Sequence, residues 1–326
     1  MFKNKIVLIT GGTGTYGKKL LNTLLQQEKL IKKIIIFSRD EFKQSEIEQS
    51  LSLSEKKKVR FFLGDVRDKS RLRQAFERVD IVIHAAALKQ VPAAEYNPIE
   101  FIKTNVIGAQ NIIECALDSK IEKVLALSTD KASSPINLYG ATKLCSDKLF
   151  IAANNFKGEK KIKFSVLRYG NVVSSRGSVI PLLLAQSKLN RFYLTDKEMT
   201  RFSITIEQAI KFTFFALKSM MGGEVFIPKL PSYKLIDLAE AISSKAKINF
   251  VGLRAGEKIH EEMINISDSK NTYEGKHEYV ILNNDKRIIK YYTAKNFKRV
   301  KKNFSYKSNI NNFLSISELK KIINKS

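Results

Sequence analysis

The chain has 326 residues, 44% of them hydrophobic and 27% charged, which is typical of a soluble globular protein with one large domain or two modest ones. Its formal charge of +25 is spread along the sequence, and the dense basic cluster from Lys298 to Lys302 has no interleaved aromatic pattern. No run approaches the ~18 apolar residues that span a membrane. The composition therefore argues against nucleic-acid and membrane partners, while a lysine-rich surface could attract an anionic substrate.

The few cysteines and histidines bear on the cellular compartment and on metal binding. Cys115 and Cys145 both fall in helical patterns, which predicts buried thiols in a reducing compartment and hence a cytoplasmic location. The N-terminal apolar run is short and stops at a glycine cluster, unlike a signal peptide. His84, His260 and His277 are scattered, and no metal-ligand spacing exists, so no metal site is predicted.

The first predicted unit is a strand, a glycine turn and a helix. Ile6 to Thr10 is a short apolar strand, GGTGTYG follows it, and an amphipathic run extends from Lys18 to Leu30. Gly11, Gly14 and Gly17 recur every third residue, which lets backbone N–H groups and a helix N-terminus approach a pyrophosphate. This context predicts a dinucleotide-binding turn.

The second predicted strand, Lys33 to Phe37, is β-branched and ends before Ser38, Arg39 and Asp40. An NAD site usually places a carboxylate here for the ribose 2′-OH, whereas an arginine can pair with the 2′-phosphate of NADP. We favour NADP as the cofactor. Asp40 leaves NAD open, and an ordinary surface charge is the alternative reading of Arg39.

Two more strands are predicted at Val59 to Leu63 and Ile81 to Ala85. Asp65, just beyond the first, is expected near an adenine amino group, and His84 is expected to be packed rather than catalytic. Asn97-Pro98 is predicted to cap a helix that runs to about Asp118, with Pro98 suited to its first turn. Strands alternating with helices predict an α/β fold with a doubly wound parallel sheet.

A strand from Lys123 to Ser128 is followed by the densest set of reactive side chains in the sequence. A hydroxyl, a carboxylate and an ammonium group follow one another at Thr129, Asp130 and Lys131. They fall at the edge where an open parallel sheet presents its ligand site. A purely structural turn would not need them.

Tyr139 and Lys143 are four residues apart on the next predicted helix and so share a face. The lysine charge is expected to lower the pKa of the phenol and make it a plausible base. An isolated pair at this spacing is usually only a solvated contact between neighbouring side chains on a helix. Its place just after Asp130 and Lys131 favours a catalytic role.

The alternation loosens after the strand from Phe164 to Tyr169, which leads into Asn171 and Val172. Three arginines beside glycines or helix starts, Arg176, Arg201 and Arg254, could meet a nucleotide diphosphate. We therefore predict a dinucleotide-binding domain with the catalytic residues at 1–172. Residues 173–326 are predicted to form mainly a smaller substrate-binding region and a tail, part of which could return to the first domain.

Several runs together resemble one family: TGGTGTYG, SRDEFKQSE, GDVRD, HAAALKQVP, STDKA, NLYGATKL, RYGNVVSSRGSV and RAGEKIHE. They are similar to the inverting UDP-N-acetylglucosamine 4,6-dehydratases of pseudaminic acid biosynthesis, which are extended short-chain dehydrogenases/reductases with a Rossmann-type fold. The resemblance covers Thr10 to about Glu262. It implies a cytoplasmic, homo-oligomeric lyase that uses NADP and UDP-N-acetylglucosamine and serves protein glycosylation.

The resemblance also implies roles for individual residues. Catalytic roles fall on Asp130, Lys131 and Tyr139, with Thr129 and Lys143 beside them. The cofactor-binding set, including the three glycines, is Gly11, Thr13, Gly14, Thr15, Tyr16, Gly17, Ser38, Arg39, Asp40, Glu41, Phe42, Lys43, Asp65, Val66, Ala85, Lys89, Asn105, Tyr139, Lys143 and Val172. The substrate-binding set is Lys89, Thr129, Asn171, Arg201, Arg254 and Glu257.

The expected chemistry assigns one proton transfer to each group. Tyr139, as phenolate, would take the C4 hydroxyl proton, a neutral Lys131 the C5 proton, and a protonated Asp130 would donate to the departing C6 hydroxyl. A tyrosine rather than a methionine at position 139 favours the inverting branch, whose product is UDP-2-acetamido-2,6-dideoxy-β-L-arabino-hex-4-ulose.

Three other functions stay open. A retaining UDP-sugar 4,6-dehydratase would share most of these residues. A UDP-sugar 4-epimerase would share the fold and the cofactor but would not need Asp130 and Lys131 as an acid–base pair. An NADP-binding regulator would be expected to lack Tyr139 or Lys143, and both are present.

Overall fold

In the part of the chain that the structure describes, a central ten-stranded sheet is flanked by helices. The structure is a computed structural model that describes residues 1–28, 30–173 and 178–324, so Arg176 lies outside the described residues. Within these ranges the strands are β1 (Ile6–Thr10), β2 (Lys33–Ser38), β3 (Val59–Leu63), β4 (Ile81–His84), β5 (Lys123–Thr129), β6 (Lys163–Tyr169), β7 (Asn171–Val172), β8 (Arg191–Leu194), β9 (Thr200–Ile204), β10 (Val225–Pro228), β11 (Ser232–Lys234), β12 (Lys247–Phe250), β13 (Glu262–Ile264), β14 (Thr272–Glu274), β15 (Glu278–Ile281), β16 (Lys298–Arg299) and β17 (Tyr306–Lys307).

The helices differ widely in length, and the longest carries Tyr139 and Lys143. In the same described ranges they are α1 (Thr15–Gln27), α2 (Glu41–Ser50), α3 (Leu53–Lys56), α4 (Lys69–Ala75), α5 (Val91–Tyr96), α6 (Pro98–Phe101), α7 (Gly108–Leu117), α8 (Leu138–Phe156), α9 (Val179–Ser187), α10 (Ile206–Ser219), α11 (Leu235–Ile242), α12 (Ile266–Ser269), α13 (Lys286–Thr293) and α14 (Ile316–Asn324). A π-helical segment, Ile102–Ile107, joins α6 to α7, and a 3-10 turn, Asp130–Ala132, follows β5.

Seven strands of the main sheet are parallel, in the order β10-β6-β5-β4-β1-β2-β3. Strands β15, β14 and β16 extend one edge in antiparallel fashion. The order reverses between β1 and β4, and an open α/β sheet forms its ligand crevice at this point, beyond the carboxyl ends of the strands. The predicted doubly wound parallel sheet is confirmed.

The parallel strands consist of short apolar runs. Helices cover both faces of a parallel sheet, so the side chains on both faces of each strand are buried. In β1, Val7, Leu8 and Ile9 are fully buried, and every residue of β4 is buried. The predicted limits of β1 to β6 agree with the structure to within one residue. This pattern places the polar residues that follow each strand at one edge of the sheet.

The predicted helices are present, but one begins earlier than expected and another contains a π-helical segment. The helix expected from Lys18 begins at Thr15, directly after the glycine turn. The helix expected from Asn97 is continued through the π-helical segment, a wider turn that is frequent near functional sites. Asn97 makes no side-chain capping bond there, so its predicted capping role is wrong.

A smaller second core lies beside the main one and is built from α9, α11, α14 and strands near them. Strands β10, β14, β15 and β16 come from the second half of the chain yet extend the main sheet. The domain division at residue 172 therefore stays a prediction. Cys115 is buried as expected, whereas Cys145 is exposed on α8, so its predicted burial is wrong. None of the helices within the described ranges is long and apolar enough to cross a membrane.

Candidate active site

A cleft of about 1110 Å³ opens at the carboxyl edge of the parallel strands. The glycine turn and the ends of β2 to β6 form one wall, and α9, β9 and residues 254–261 form the other. Most of the predicted side chains line it: Gly11, Thr13, Gly14, Thr15, Tyr16, Gly17, Ser38, Arg39, Asp40, Lys43, Asp65, Val66, Ala85, Lys89, Thr129, Lys131, Tyr139, Lys143, Asn171, Val172, Arg201, Arg254 and Glu257.

The glycine turn has the geometry that a dinucleotide needs. Gly11 has a φ of +66°, and a Cβ on it would lie 2.9 Å from the backbone of Ala86. A Cβ on Gly17 would lie 2.4 Å from the carbonyl oxygen of Gly12, so α1 begins against the turn itself. Backbone N–H groups and the start of α1 are therefore open toward the cleft, where a pyrophosphate fits.

The end of β2 carries the residues on which the prediction of NADP rests. The Asp40 carboxylate accepts from the Lys43 backbone N–H at 3.0 Å and pairs with the Lys43 ammonium, so it caps α2. Arg39 lies at the cleft with about half its side chain exposed, and its Nη1 is 3.4 Å from Oδ2 of Asp65. Asp65 is itself held by Arg67 at 2.7 Å. The carboxylates of Asp40 and Asp65 are thus each paired with a cationic side chain, while about half of the Arg39 side chain is exposed at the cleft.

Three predicted cofactor residues do not line the cleft. Glu41 lies on α2, and the Phe42 ring is 74% exposed and faces away from the core. Asn105 is almost completely buried, and its amide holds the backbone of Leu88 through two hydrogen bonds of 2.9 Å. Asn105 therefore holds the loop after β4 in place, and its assignment to cofactor binding stays a prediction.

The turn after β5 gathers the predicted acid–base groups. Asp130 is fully buried, and its Oδ1 lies 2.9 Å from the Thr129 hydroxyl and 3.1 Å from the Lys131 ammonium. Lys131 is also 2.9 Å from Oε1 of Glu261 and 3.5 Å from the Asn171 amide oxygen. A strand end, β7 and the segment before β13 thus converge on one ammonium group.

Burial and neighbouring charge decide the protonation states. Burial raises the pKa of Asp130, and the attraction of Lys131 does not reverse this, so the shift is toward the neutral acid that the expected chemistry assumes. Burial lowers the pKa of Lys131, but the negative charges of Asp130 and Glu261 outweigh it and leave the pKa raised. The two neighbouring carboxyl groups thus favour the charged form of Lys131, and the neutral form that the expected chemistry assumes stays a prediction.

Tyr139 and Lys143 share a face of α8 as predicted, but the lysine does not act as expected. Burial raises the pKa of Tyr139 to about 12, against the opposing effects of Lys131 and the Thr129 hydroxyl. The Lys143 ammonium donates to the carbonyl oxygen of Leu127 at 2.8 Å, and burial lowers its pKa. The phenol is thus a weaker acid than the sequence indicates.

The other wall carries the predicted substrate residues. Arg201 is 9% exposed, and its Nη1 donates to the carbonyl oxygens of Thr200 at 2.7 Å and Ile259 at 2.9 Å. Arg254 and Glu257 lie at the exposed mouth, on the loop after β12. His84, in contrast, is buried against Thr10 at 2.8 Å, which agrees with a packed histidine.

Glu261 is the functional candidate that the sequence does not single out. It lies in the RAGEKIHE run, which draws attention to Arg254 and Glu257 instead. Its carboxylate lines the cleft and contacts Lys131 across 130 positions of sequence, so local spacing carries no signal of this pairing.

Comparison with known proteins agrees with this geometry. Residues 7–283 match the family described as polysaccharide biosynthesis protein. The UDP-N-acetylglucosamine 4,6-dehydratase (inverting) of Campylobacter jejuni strain 81-176 is 49% identical, over 99% of this chain and 98% of that protein. A UDP-glucose 4-epimerase of Rickettsia bellii is 39% identical, over 99% and 96%. The X-ray structure of Pen from Bacillus thuringiensis superposes with a TM-score of 0.91 at 38% identity, over 100% and 98%.

Proposed function

The chain belongs to the family of polysaccharide biosynthesis proteins, and from this membership and its cleft we propose that it is an inverting UDP-N-acetylglucosamine 4,6-dehydratase. It would be a lyase that uses NADP and forms UDP-2-acetamido-2,6-dideoxy-β-L-arabino-hex-4-ulose. The proposal places this reaction as the first step of pseudaminic acid biosynthesis. Cytoplasmic location and a homo-oligomeric state stay predictions that rest on composition and family resemblance.

One observation carries the proposal. Lys131 on the turn after β5 and the Tyr139 phenol on α8 line the same cleft as the glycine turn, and the buried Asp130, whose pKa is raised, lies 3.1 Å from the Lys131 ammonium. A 4-epimerase must move only the C4 proton and hydride, so it has no use for the additional acid–base pair. Elimination of water between C5 and C6 needs both members of such a pair.

The residues of the chain divide the work by position. A bound nicotinamide would accept hydride from C4 and return it to C6. Tyr139 moves the proton of the C4 hydroxyl, with Thr129 beside it. The ketone at C4 acidifies the C5 proton, which lies within the reach of Lys131 in the proposed complex. Asp130, as a neutral acid, protonates the departing C6 hydroxyl.

The first test follows the sugar itself. Purified protein incubated with UDP-N-acetylglucosamine in deuterated water should give a 6-deoxy-4-keto sugar of L-arabino configuration that carries deuterium at C5, as read by NMR. Reduced cofactor should not accumulate, because the hydride that leaves C4 returns to C6. A D-xylo product in the first turnovers would instead indicate a retaining enzyme, and the C4 epimer without loss of water would indicate an epimerase.

The cofactor is tested at Arg39. Arg39→Ala should weaken NADP binding by about tenfold or more and leave NAD binding nearly unchanged, since NADP alone carries the 2′-phosphate that an arginine can pair. Isothermal titration with both cofactors measures the effect. Arg73→Ala is the matched control, because Arg73 is similarly exposed and lies 3.4 Å from Asp118, as Arg39 does from Asp65. Equal losses of NAD and NADP binding would mean that Arg39 does not bind the 2′-phosphate.

A further inference from the structure

A buried carboxylate lies directly beside Lys131. Glu261 is 2% exposed, and its Oε1 lies 2.9 Å from Nζ of Lys131 and 3.7 Å from Nε of Arg201. Its other oxygen, Oε2, is buried and has no hydrogen-bond partner among the described residues. A carboxylate placed this close to an ammonium group can accept a proton from it without intervening water.

The position of Glu261 is fixed through its backbone. Its N–H donates to Oγ of Ser308 at 2.9 Å, and its carbonyl oxygen accepts from the Ser308 N–H at 2.9 Å. Oγ of Ser308 lies in turn 2.7 Å from the Thr200 hydroxyl. Segments distant in the sequence thus hold the carboxylate in place, and this is the preorganisation that proton transfer needs.

The two carboxyl groups beside Lys131 have pKa values that are shifted in opposite directions. Burial raises the pKa of Glu261, but the positive charges of Lys131 and Arg201 outweigh it and leave the pKa lowered. Asp130 shows the reverse result, since burial keeps its pKa raised and the negative charge of Glu261 adds to this effect. These directions favour the carboxylate form of Glu261 and the ammonium form of Lys131, whereas burial shifts Asp130 toward its neutral acid.

The geometry points to Glu261 as the proton acceptor through which Lys131 works as a base, an inference that rests on the proposed function. One proton passes from Nζ of Lys131 to Oε1 of Glu261, which frees the nitrogen lone pair. That lone pair takes the C5 proton, and the electron pair of the C5–H bond forms the C5–C6 double bond. The C6–O bond breaks, and Asp130 gives its proton to the hydroxyl, which leaves as water.

The step is balanced in protons and charge. Glu261 becomes neutral, Asp130 becomes a carboxylate, and Lys131 is an ammonium group before and after. Because the pKa of Lys131 is raised and that of Glu261 is lowered, the neutral pair is the less stable form of the resting site, and the 2.9 Å contact is the route by which it is reached. Glu261 acts through Lys131 and is a positioning residue in this sense, whereas Lys131 meets the sugar.

The charged groups that face Glu261 predict a pH signature. They are Lys131 and Asp130 on the turn after β5, Arg201 on β9 and Lys258 on its own segment. Because the folded-state pKa of Glu261 is lowered, the carboxylate persists above that pKa and is lost as pH falls through it. Elimination should therefore show an acid limb that depends on Glu261.

Glu261→Gln tests the inference, because glutamine keeps the shape but cannot accept the proton. The rate of water elimination should fall about a hundredfold while KM changes by less than about threefold. Oxidation at C4, followed as transient reduced cofactor in a single turnover, should stay near the wild-type rate. The acid limb of the elimination rate should disappear. Glu261→Asp, which keeps a carboxylate, should eliminate water at least about tenfold faster than Glu261→Gln.

Glu278→Gln is the matched control, since Glu278 is a buried carboxylate on β15 that does not line the cleft. Its elimination rate should equal that of the wild type. Elimination by Glu261→Gln within about threefold of wild type would overturn the inference, and so would an equal fall of C4 oxidation and elimination. If Glu261→Gln did not fold, an elimination rate for Glu261→Asp no higher than for Lys131→Ala would overturn it. A wild type that eliminates no water would refute the proposed function instead.

Discussion

The Tyr139→Phe variant is expected to lose about a thousandfold in kcat, equivalent to about 4 kcal/mol of transition-state stabilisation. Without the phenol, the proton of the C4 hydroxyl has no acceptor, so oxidation at C4 stops before elimination can begin. Stopped-flow absorbance should then show no transient reduced cofactor in a single turnover. Because the phenol is buried with a pKa of about 12, the wild-type rate of C4 oxidation should also rise with pH across the neutral and alkaline range.

The control for this variant is Tyr279→Phe. Tyr279 is as buried as Tyr139, and burial likewise raises its pKa to about 12, but it lies on β15 in the main sheet, outside the cleft. A similar loss in both variants would mean that removal of any buried phenol disturbs the protein. A reduced-cofactor transient of normal amplitude and rate in Tyr139→Phe would exclude Tyr139 as the base for the C4 hydroxyl.

The Lys131→Ala variant is expected to stop the reaction one step later. Oxidation at C4 should continue, because Tyr139 and the glycine turn remain, whereas elimination should fall by about a thousandfold or more. Reduced cofactor and 4-keto sugar should therefore accumulate together in a single turnover, and deuterium exchange at C5 should be lost. Absorbance and NMR of the quenched mixture measure both.

Lys5→Ala provides a control with a similar environment. Lys5 is about as exposed as Lys131 and also lies between two carboxylates, Asp80 and Glu122, but at the opposite end of β1 from the cleft. Its elimination rate should equal that of the wild type. Normal elimination in Lys131→Ala would assign the C5 proton to another group, and loss of C4 oxidation as well would assign Lys131 to sugar binding alone.

The two substitutions separate a dehydratase from an epimerase in the same experiment. In an epimerase, loss of Lys131 would leave the complete reaction largely intact, since only C4 chemistry is required. In a dehydratase, Tyr139 and Lys131 control successive steps, so their variants accumulate different species. The proposed mechanism therefore predicts that the Tyr139 variant stops before oxidation at C4, and that the Lys131 variant stops after it, before the C5 proton is removed.

Much of the fold could be read from local pattern. The apolar runs of β1 to β6 predict buried strands because a covered parallel sheet removes both strand faces from water, and the observed limits differ by at most one residue. The spacing of Tyr139 and Lys143 predicts a shared helix face, since an α-helix repeats every ~3.6 residues. The glycines around the start of α1 likewise predict a turn that side chains would obstruct, and a Cβ at Gly17 in α1 would indeed lie 2.4 Å from the carbonyl oxygen of Gly12.

The sequence by itself therefore determined the doubly wound sheet, the glycine turn and the set of groups at the end of β5. Only the tertiary structure decided which partners the polar groups of the site have and in which direction their pKa values shift. It commits Asp40 to a helix cap, turns Asn105 toward a backbone loop and places Glu261 against Lys131. The physical reason is that a side chain's charge state depends on burial and on partners brought close by folding. Lys131 and Glu261 are 130 positions apart, so no periodicity of the sequence could show that they share a proton site.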